Sequence, residues 1–207
     1  MEKLKKNWQF YVNIYVFLNF LGFCGWQAYS VIAENRLNFV EVSFIIHNII
    51  LVSVVLVRSE FKAIDKNWWH QLIAFIAFFS GAFFMGQPQT STNLTEVISQ
   101  IVIMVSNILG LITLLNLGKS FGVMISYRNV KTKGLYSYVR HPMYGTDILL
   151  RIGFLISHFT WYTIIAFVLS TACYIYRAIL EERFLRQQPE YEQYMQKVKY
   201  RFIPFVF

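Results

Sequence analysis

Gly134-Leu-Tyr-Ser-Tyr-Val-Arg-His-Pro-Met-Tyr-Gly145 joins a polar, basic connection to an apolar segment. Proline is tolerated in the first turn of a helix and disfavours the α conformation in the residue before it. A helix is therefore expected to begin at Pro142, with Arg140 and His141 where water meets hydrocarbon. Later in the chain, another apolar segment ends in a second charged cluster, formed by Arg177, Glu181 and Glu182. We expect the two clusters to meet in the folded chain.

The composition is typical of a membrane protein. Of the 207 residues, 56% are apolar and 14% are charged, whereas an average soluble domain has roughly 45–50% apolar and about 25% charged residues. The net charge of +8 does not indicate nucleic-acid binding, because the basic residues are divided among several connections instead of being gathered on one soluble face. Cys24 and Cys173 lie in apolar segments and are too few for a disulfide framework.

Six apolar segments are long enough, or nearly long enough, to cross a bilayer, which takes about 20 helical residues. They are Trp8–Ile32, Phe39–Val57, Trp68–Met85, Leu94–Leu117, Pro142–Ile156 and Phe159–Leu180. Helices are required because every backbone polar group in lipid must be paired within the protein. The fifth segment is short, so we expect a helical hairpin with the sixth that turns at Ser157 and His158. The predicted fold class is an all-α, polytopic transmembrane bundle of about five to six spans.

The basic residues predict the orientation, because Lys and Arg are retained on the cytoplasmic side. All of them except Arg36 and Arg151 lie at the N-terminus, in the second and fourth connections, or from Arg177 onward. The third connection, which begins at Gly86, has no basic residue and is expected outside. We therefore predict a multi-pass membrane protein with both termini cytoplasmic.

The chain reads as one domain, 1–207, with two parts of different character. Residues 1–117 carry few charges and are predicted to be a transmembrane scaffold. Residues 118–207 mix basic, aromatic and acidic residues densely, and are predicted to be the cofactor-binding and catalytic part with a cytoplasmic C-terminal region that encloses the cofactor.

The sequence does not match the common nucleotide-binding and metal-binding motifs. Gly118-Lys-Ser120 ends like a phosphate-binding loop, but the glycine required five positions earlier is Thr113. No Gly-x-Gly-x-x-Gly fingerprint occurs, and the four histidines are scattered without the spacing of a metal site. We predict no metal and no nucleic-acid partner, and the sequence leaves the oligomeric state open.

Both charged clusters allow a structural and a functional interpretation. The helix start at Pro142 offers unpaired N–H groups that can hold a carboxylate or another acceptor. The alternative is that Arg140 and His141 serve only as an interfacial anchor. Arg177 and Glu181 are four residues apart and share a helix face. Glu181 could bind an ammonium or ribose hydroxyls and Arg177 an anionic substrate, or the two could form a plain ion pair.

Asp147 and Arg151 lie within the fifth segment, again four residues apart. Charges in hydrocarbon are costly, face the bundle and often mark a site. Arg151 could also simply neutralise Asp147 as a structural pair.

Four spaced elements resemble those of a known family. They are Leu117-Gly-Lys-Ser-Phe121, Lys133-Gly-Leu-Tyr-Ser-Tyr-Val-Arg-His-Pro-Met-Tyr-Gly145, Arg177-x-x-x-Glu-Glu-Arg-Phe-Leu185, and Tyr191-Glu-Gln-Tyr194 with Arg201-Phe-Ile-Pro204. In this order they resemble the isoprenylcysteine carboxyl methyltransferase family, which is related to the phospholipid methyltransferases. The resemblance covers about the last 90 residues.

This resemblance implies an integral-membrane enzyme that binds S-adenosylmethionine at the cytoplasmic face, releases S-adenosylhomocysteine, and admits a lipophilic substrate from the bilayer. Carried over by position, the cofactor-binding residues are Arg128, Asn129, Val130, Lys131, Tyr136, Arg140, His141, Pro142, Met143, Tyr144 and Glu181. Arg177 matches a position that serves the methyl acceptor.

Methyl transfer from a sulfonium mainly requires the donor and acceptor to be aligned and water to be excluded. A carboxylate acceptor needs no base and could be oriented by Arg177. An amine acceptor must lose a proton, for which Glu182 or His141 are candidates. We favour carboxyl O-methylation. The candidate catalytic residues are Arg177, which would orient a carboxylate acceptor, and Glu182, which would serve an amine acceptor. The alternatives are a phosphatidylethanolamine-like N-methyltransferase and, from another class, a non-catalytic transporter or assembly protein with Asp147 and Arg151 along a pathway.

Overall fold

The computed structural model describes residues 2–33, 39–84 and 90–206. These ranges contain the helices α1 (Glu2–Ala33), α2 (Phe39–Val57), α3 (Trp68–Phe79), α4 (Asn93–Leu117), α5 (Pro142–Ser157), α6 (Trp161–Leu185) and α7 (Pro189–Lys197). Short 3₁₀ turns follow α3 at Ser80–Phe84 and α4 at Gly118–Ser120, and a third covers Gly134–Ser137. Each predicted apolar segment forms a helix, which confirms the all-α fold. Arg36, Met85 and residues 86–89 of the third connection lie outside the described residues.

Within the described ranges, four helices have the length and hydropathy of a membrane span. They cover Ile14–Ala33, Phe39–Val57, Asn93–Ser120 and Trp161–Leu185. The apolar helix Trp68–Phe84 is shorter, and the 16 residues of α5 rise only about 24 Å, less than the roughly 30 Å of a hydrocarbon core. The bundle thus combines four helices of spanning length with two shorter ones.

The short helix α5 packs most extensively against α4. Gly153 makes this close approach possible, because a Cβ built on it would lie 2.5 Å from Ile103 Cγ1. The two helices are also joined by hydroxyl groups of α4: Ser99 Oγ donates to the Gly153 carbonyl at 2.8 Å and Ser106 Oγ donates to the Thr146 carbonyl at 2.6 Å. Helix α5 is therefore fixed to α4 along most of its length.

A short connection joins α5 to α6. Thr160 caps α6, since its hydroxyl oxygen accepts from the Thr163 N–H at 3.2 Å, and such caps satisfy the unpaired donors of a helix start. Pro142 begins α5 as expected, with His141 before it in a non-helical conformation.

The connection between α4 and α5 lies across one end of the bundle. Two short strands within this end, β1 (Ala63–Ile64) and β2 (Ser126–Tyr127), pair antiparallel with Ala63 opposite Tyr127. Gly134 has a φ of +64°, and a side chain there would also collide with the Asn116 amide. Glycine is thus required where the 134–145 stretch leaves the connection.

Candidate functional site

The start of α5 and the end of α6 meet at this end of the bundle. The segment before α5 is held by the chain after α7, because the Arg140 N–H donates to the Tyr200 carbonyl at 2.9 Å and the His141 N–H to the Arg201 carbonyl at 2.8 Å. His141 Nδ1 then lies 3.9 Å from Glu181 Oε2. The expected meeting of the two charged clusters is observed.

Glu182 is the centre of a buried ion-pair network. Its carboxylate accepts from Arg140 Nε at 2.7 Å and from Arg201 Nε at 3.0 Å, and it lies 3.2 Å from His141 Nε2. The residue is 2% exposed, and a buried charge is tolerated only when it is paired and hydrogen-bonded. Its contacts make Glu182 a residue that positions Arg140 and His141. Its predicted catalytic role stays a prediction.

Arg177 connects α6 to two other parts of the bundle. Its Nη1 donates to the Ala74 carbonyl at 2.8 Å, its Nη2 to the Val123 and Gly122 carbonyls at 2.7 and 3.3 Å, and its Nε to Glu181 at 3.1 Å. The side chain is 1% exposed. A guanidinium carries five N–H donors, so one hydrogen on Nη1 is left for a ligand.

Tyr144 links the predicted site residues to one another. Its hydroxyl donates to Glu181 Oε1 at 2.6 Å, and its ring lies parallel to the His141 ring with the centroids 5.2 Å apart. The Arg177 guanidinium lies 5.1 Å from the centre of the same ring. The two charged clusters are thus joined through one aromatic side chain.

A cavity of about 140 Å³ lies within this cluster of side chains. It is lined by every predicted site residue except Pro142 and Glu182. The rest of the lining includes residues that the sequence did not single out as ligand-binding: an apolar group of Phe78, Leu117, Phe121 and Leu185, and the tyrosines Tyr127, Tyr174, Tyr191 and Tyr194. The four motif elements do contain Tyr191 and Tyr194, but without a known contact neither could be given a role.

Two tyrosines of α7 differ in what their hydroxyls do. The Tyr194 hydroxyl donates to the Tyr136 carbonyl at 2.7 Å, whereas the buried Tyr191 hydroxyl finds no hydrogen-bond partner among the described residues. Burial, followed by the charges of Glu182 and Glu181, raises the pKa of Tyr191. The side chain therefore stays neutral, and its O–H is a donor available to a ligand.

Arg128 is a buried cation without an acidic partner in the described part of the chain. Its Nε donates to the Ser59 carbonyl at 2.9 Å, and its Nη1 donates to the Ser126 hydroxyl. Burial and, to a smaller extent, the charge of Arg58 lower the pKa of Arg128 to about 10. A bound anion would relieve both effects, because an opposite charge stabilises the protonated form.

Helix α7 is held against the β2 region by Tyr127, whose hydroxyl donates to Glu190 Oε2 at 2.7 Å. This hydrogen bond, with burial, raises the pKa of Tyr127 to about 12. The phenol is thus a stable donor that fixes the wall containing Tyr191.

Asp147 and Arg151 do not form a direct ion pair. Tyr174 Oη donates to Asp147 Oδ2 at 2.8 Å, while Arg151 donates to the Asp147 backbone carbonyl at 2.9 Å and to Ser80 Oγ at 2.9 Å. The Arg151 guanidinium lies 4.7 Å from the centre of the Tyr174 ring. Asp147 and Tyr174 line the cavity. Arg151 is not part of the lining but contacts both residues, through the Asp147 carbonyl and the Tyr174 ring.

Residues 93–192 match the family model of the phospholipid methyltransferases. No curated protein matches the sequence significantly. Among solved structures, the chain is similar to the eukaryotic intramembrane Ras methyltransferase ICMT (isoprenylcysteine carboxyl methyltransferase), with 18% identity and a TM-score of 0.48 over 81% of this chain. The chain covers 65% of that protein, less than two thirds of its length. The match of residues 93–192 covers just under half of the chain and agrees with the family resemblance found in the sequence.

Proposed function

We propose that this protein is a membrane methyltransferase that uses S-adenosylmethionine and acts on a lipophilic acceptor. The observation that carries the proposal is the cavity between the 128–131 connection, the start of α5 and the end of α6. All three of these elements lie within the family-matched region, residues 93–192.

The lining residues fit the polar groups of the proposed cofactor. S-adenosylmethionine carries a carboxylate, an ammonium, ribose hydroxyls and a purine. Arg128, buried without a carboxylate partner, would hold the carboxylate. Glu181 would accept from the ammonium or the ribose hydroxyls. The Tyr191 hydroxyl supplies a donor that has no partner among the described residues, and an unsatisfied buried donor costs about 1–3 kcal/mol.

When bound, the cofactor supplies a methyl carbon bonded to a sulfonium, and sulfur keeps the electron pair of the broken bond. The protein's own part is to orient the two reactants and to exclude water, which can contribute roughly 7–11 kcal/mol to the lowering of a barrier. Tyr144, held by His141, Arg177 and Glu181, forms a rigid wall for this purpose.

Two chemical groups are candidates for the methyl acceptor, a carboxylate and an amine. A carboxylate held by Arg177 is the acceptor that the sequence favours. However, a bidentate grip needs two free donors on one guanidinium face, and four of the five Arg177 hydrogens already bind within the protein. An amine acceptor is therefore the second candidate.

Both termini are proposed to lie in the cytoplasm, together with this end of the bundle. Most of the basic residues lie at the N-terminus, in the second and fourth connections or from Arg177 onward, and Lys and Arg are retained on the cytoplasmic side. The donor would then reach the cavity from the cytoplasm, and the acceptor from the bilayer.

Titration with S-adenosylhomocysteine tests the cofactor assignment. We expect micromolar binding to the detergent-solubilised wild type by calorimetry, and loss of binding in Glu181→Ala and in His141→Ala. The matched control is Glu96→Gln, a substitution in the first turn of α4 and outside the cavity lining, which should bind like the wild type. A folded wild type that does not bind would contradict the proposal and favour the non-catalytic alternative.

A further inference from the structure

Asp147 is a carboxylate on the apolar helix α5, where it lines the cavity. It follows Met143 by four residues on α5, so the two side chains share a helix face, and both line the cavity. One helical turn places Asp147 about 6 Å farther from the α5 start than Met143.

The hydrogen bonds of this carboxylate leave one oxygen available. Oδ2 accepts from the Tyr174 hydroxyl, while Oδ1 accepts no hydrogen bond from any described residue. No Lys, Arg or His nitrogen within the described ranges lies at ion-pair distance from either oxygen. An ionisable group inside a membrane bundle is costly to maintain and is by default a functional candidate.

The neighbouring residues hold Asp147 in place without neutralising it directly. Tyr174 is 2% exposed, and its ring packs against the Tyr144 ring with the centroids 5.2 Å apart. Arg151 donates to the Asp147 backbone and to Ser80. The carboxylate is therefore held by Tyr174, and Asp147 lines the same cavity as Tyr144 and Arg177.

We propose that Asp147 is the acceptor-side catalytic residue, which binds a protonated amine headgroup and takes its proton. This inference rests on the proposed function and deepens it, because it assigns a residue of the cavity to the acceptor side of the amine alternative. The apolar side chains Phe78, Leu117 and Phe121 in the cavity lining suit the apolar part of a lipophilic acceptor.

The proposed methyl transfer to nitrogen can be written with every proton and electron pair accounted for. An ammonium on the acceptor gives one proton to Asp147 Oδ1, and the nitrogen keeps the electron pair of the broken N–H bond as a lone pair. This lone pair would form the new N–C bond with the methyl carbon of the bound donor as the C–S bond breaks and its electron pair stays on sulfur. Asp147 is then neutral until it returns its proton to water through the cavity. General base catalysis of this kind contributes about 10²–10⁴-fold to a rate.

Asp147→Asn tests the assignment, because an amide oxygen still accepts from Tyr174 but the side chain has no charge and cannot take a proton. The full-length protein is incubated with radiolabelled S-adenosylmethionine and vesicles that contain either phosphatidylethanolamine or oleate in phosphatidylcholine. We expect label in the phosphatidylethanolamine vesicles only, stable to alkali. Asp147→Asn should lower this labelling by about 10²-fold and leave the affinity for S-adenosylhomocysteine within about twofold of the wild type. Asp147→Glu should recover part of the rate, and Glu96→Gln should match the wild type.

Alkali-labile label in the oleate vesicles, label in neither vesicle, or full amine methylation by Asp147→Asn would each overturn the inference. These results are distinguishable from failure of the proposed function, because that failure appears as absent S-adenosylhomocysteine binding in the wild type. If Asp147→Asn loses binding of S-adenosylhomocysteine as well as turnover, Asp147 acts on the fold or on the cofactor and not on the acceptor, which also contradicts the assignment.

Discussion

Tyr191 and Tyr194 lie one helical turn apart on α7, line the same cavity, and differ in whether the hydroxyl has a partner. A hydroxyl that is buried without a partner destabilises the free protein and becomes useful only when a ligand accepts from it. The pair thus offers a natural comparison between a ligand-binding tyrosine and a structural one.

Tyr191→Phe is expected to weaken S-adenosylhomocysteine binding by about 2–12-fold, since one hydrogen bond contributes about 0.5–1.5 kcal/mol. It should not lower the unfolding midpoint. Tyr194→Phe removes an existing bond to Tyr136 and should cost about 1 kcal/mol of stability. Calorimetric titration and thermal unfolding in detergent measure both effects. Equal binding by Tyr191→Phe and wild type would show that the hydroxyl does not contact this ligand.

Glu181 and Glu182 are adjacent but differ in their surroundings, and substitutions should separate their roles. Glu182→Ala leaves Arg140 buried without its partner, and breaking a buried pair costs about 3–5 kcal/mol. Glu181→Gln should retain most of the stability and weaken S-adenosylhomocysteine binding instead. Unfolding midpoints and binding titrations of the two variants give the comparison. A stable Glu182→Ala protein would contradict the view that this network holds the site together.

The sequence predicts the fold well at the scale of elements, because hydropathy marks six segments and each one forms a helix. It also places Glu181 and His141 together through their motifs. It could not predict that Arg177 is occupied by carbonyls of residues 74, 122 and 123, or that Glu182 accepts from Arg201. These contacts join residues that are distant in sequence and depend on how the helices pack, which hydropathy does not encode.

Gly153, at the α4–α5 contact, decides how closely α5 approaches the scaffold. We expect Gly153→Ala to destabilise the protein by about 1–3 kcal/mol, because overpacking displaces neighbouring atoms, and here both Ile103 and its backbone lie close. Gly25→Ala in α1 is the matched control, since a Cβ there meets nothing within 4 Å. Unfolding of both variants in detergent checks this expectation. Equal losses of stability in the two variants would contradict this expectation.

At the scale of the whole molecule, the bundle has one end that carries the cavity and an opposite end that carries the α5–α6 connection. Both ends offer an exposed position for labelling: Gln193 on α7 and Phe159 between α5 and α6. The distribution of Lys and Arg predicts that the cavity end faces the cytoplasm.

Single-cysteine variants in a background without Cys24 and Cys173 test this orientation. In intact cells, an impermeant maleimide should label Phe159→Cys at once and Gln193→Cys only after permeabilisation. Both variants should first be shown to bind S-adenosylhomocysteine. The opposite labelling pattern would place the cavity on the outer side and would contradict a cytoplasmic source of the methyl donor.

The pairing of Arg140 and His141 with Tyr200 and Arg201 has a consequence for biosynthesis. Residues 200 and 201 are translated after every helix of the bundle, yet they fix the segment that begins α5. During synthesis from the N-terminus, the membrane helices can insert and associate first. The cavity stays incomplete until residues 200 and 201 have been made. We therefore expect a chain that ends before Tyr200 to reside in the membrane as an inert bundle, so that the proposed activity would begin only after residues 200 and 201 have been made.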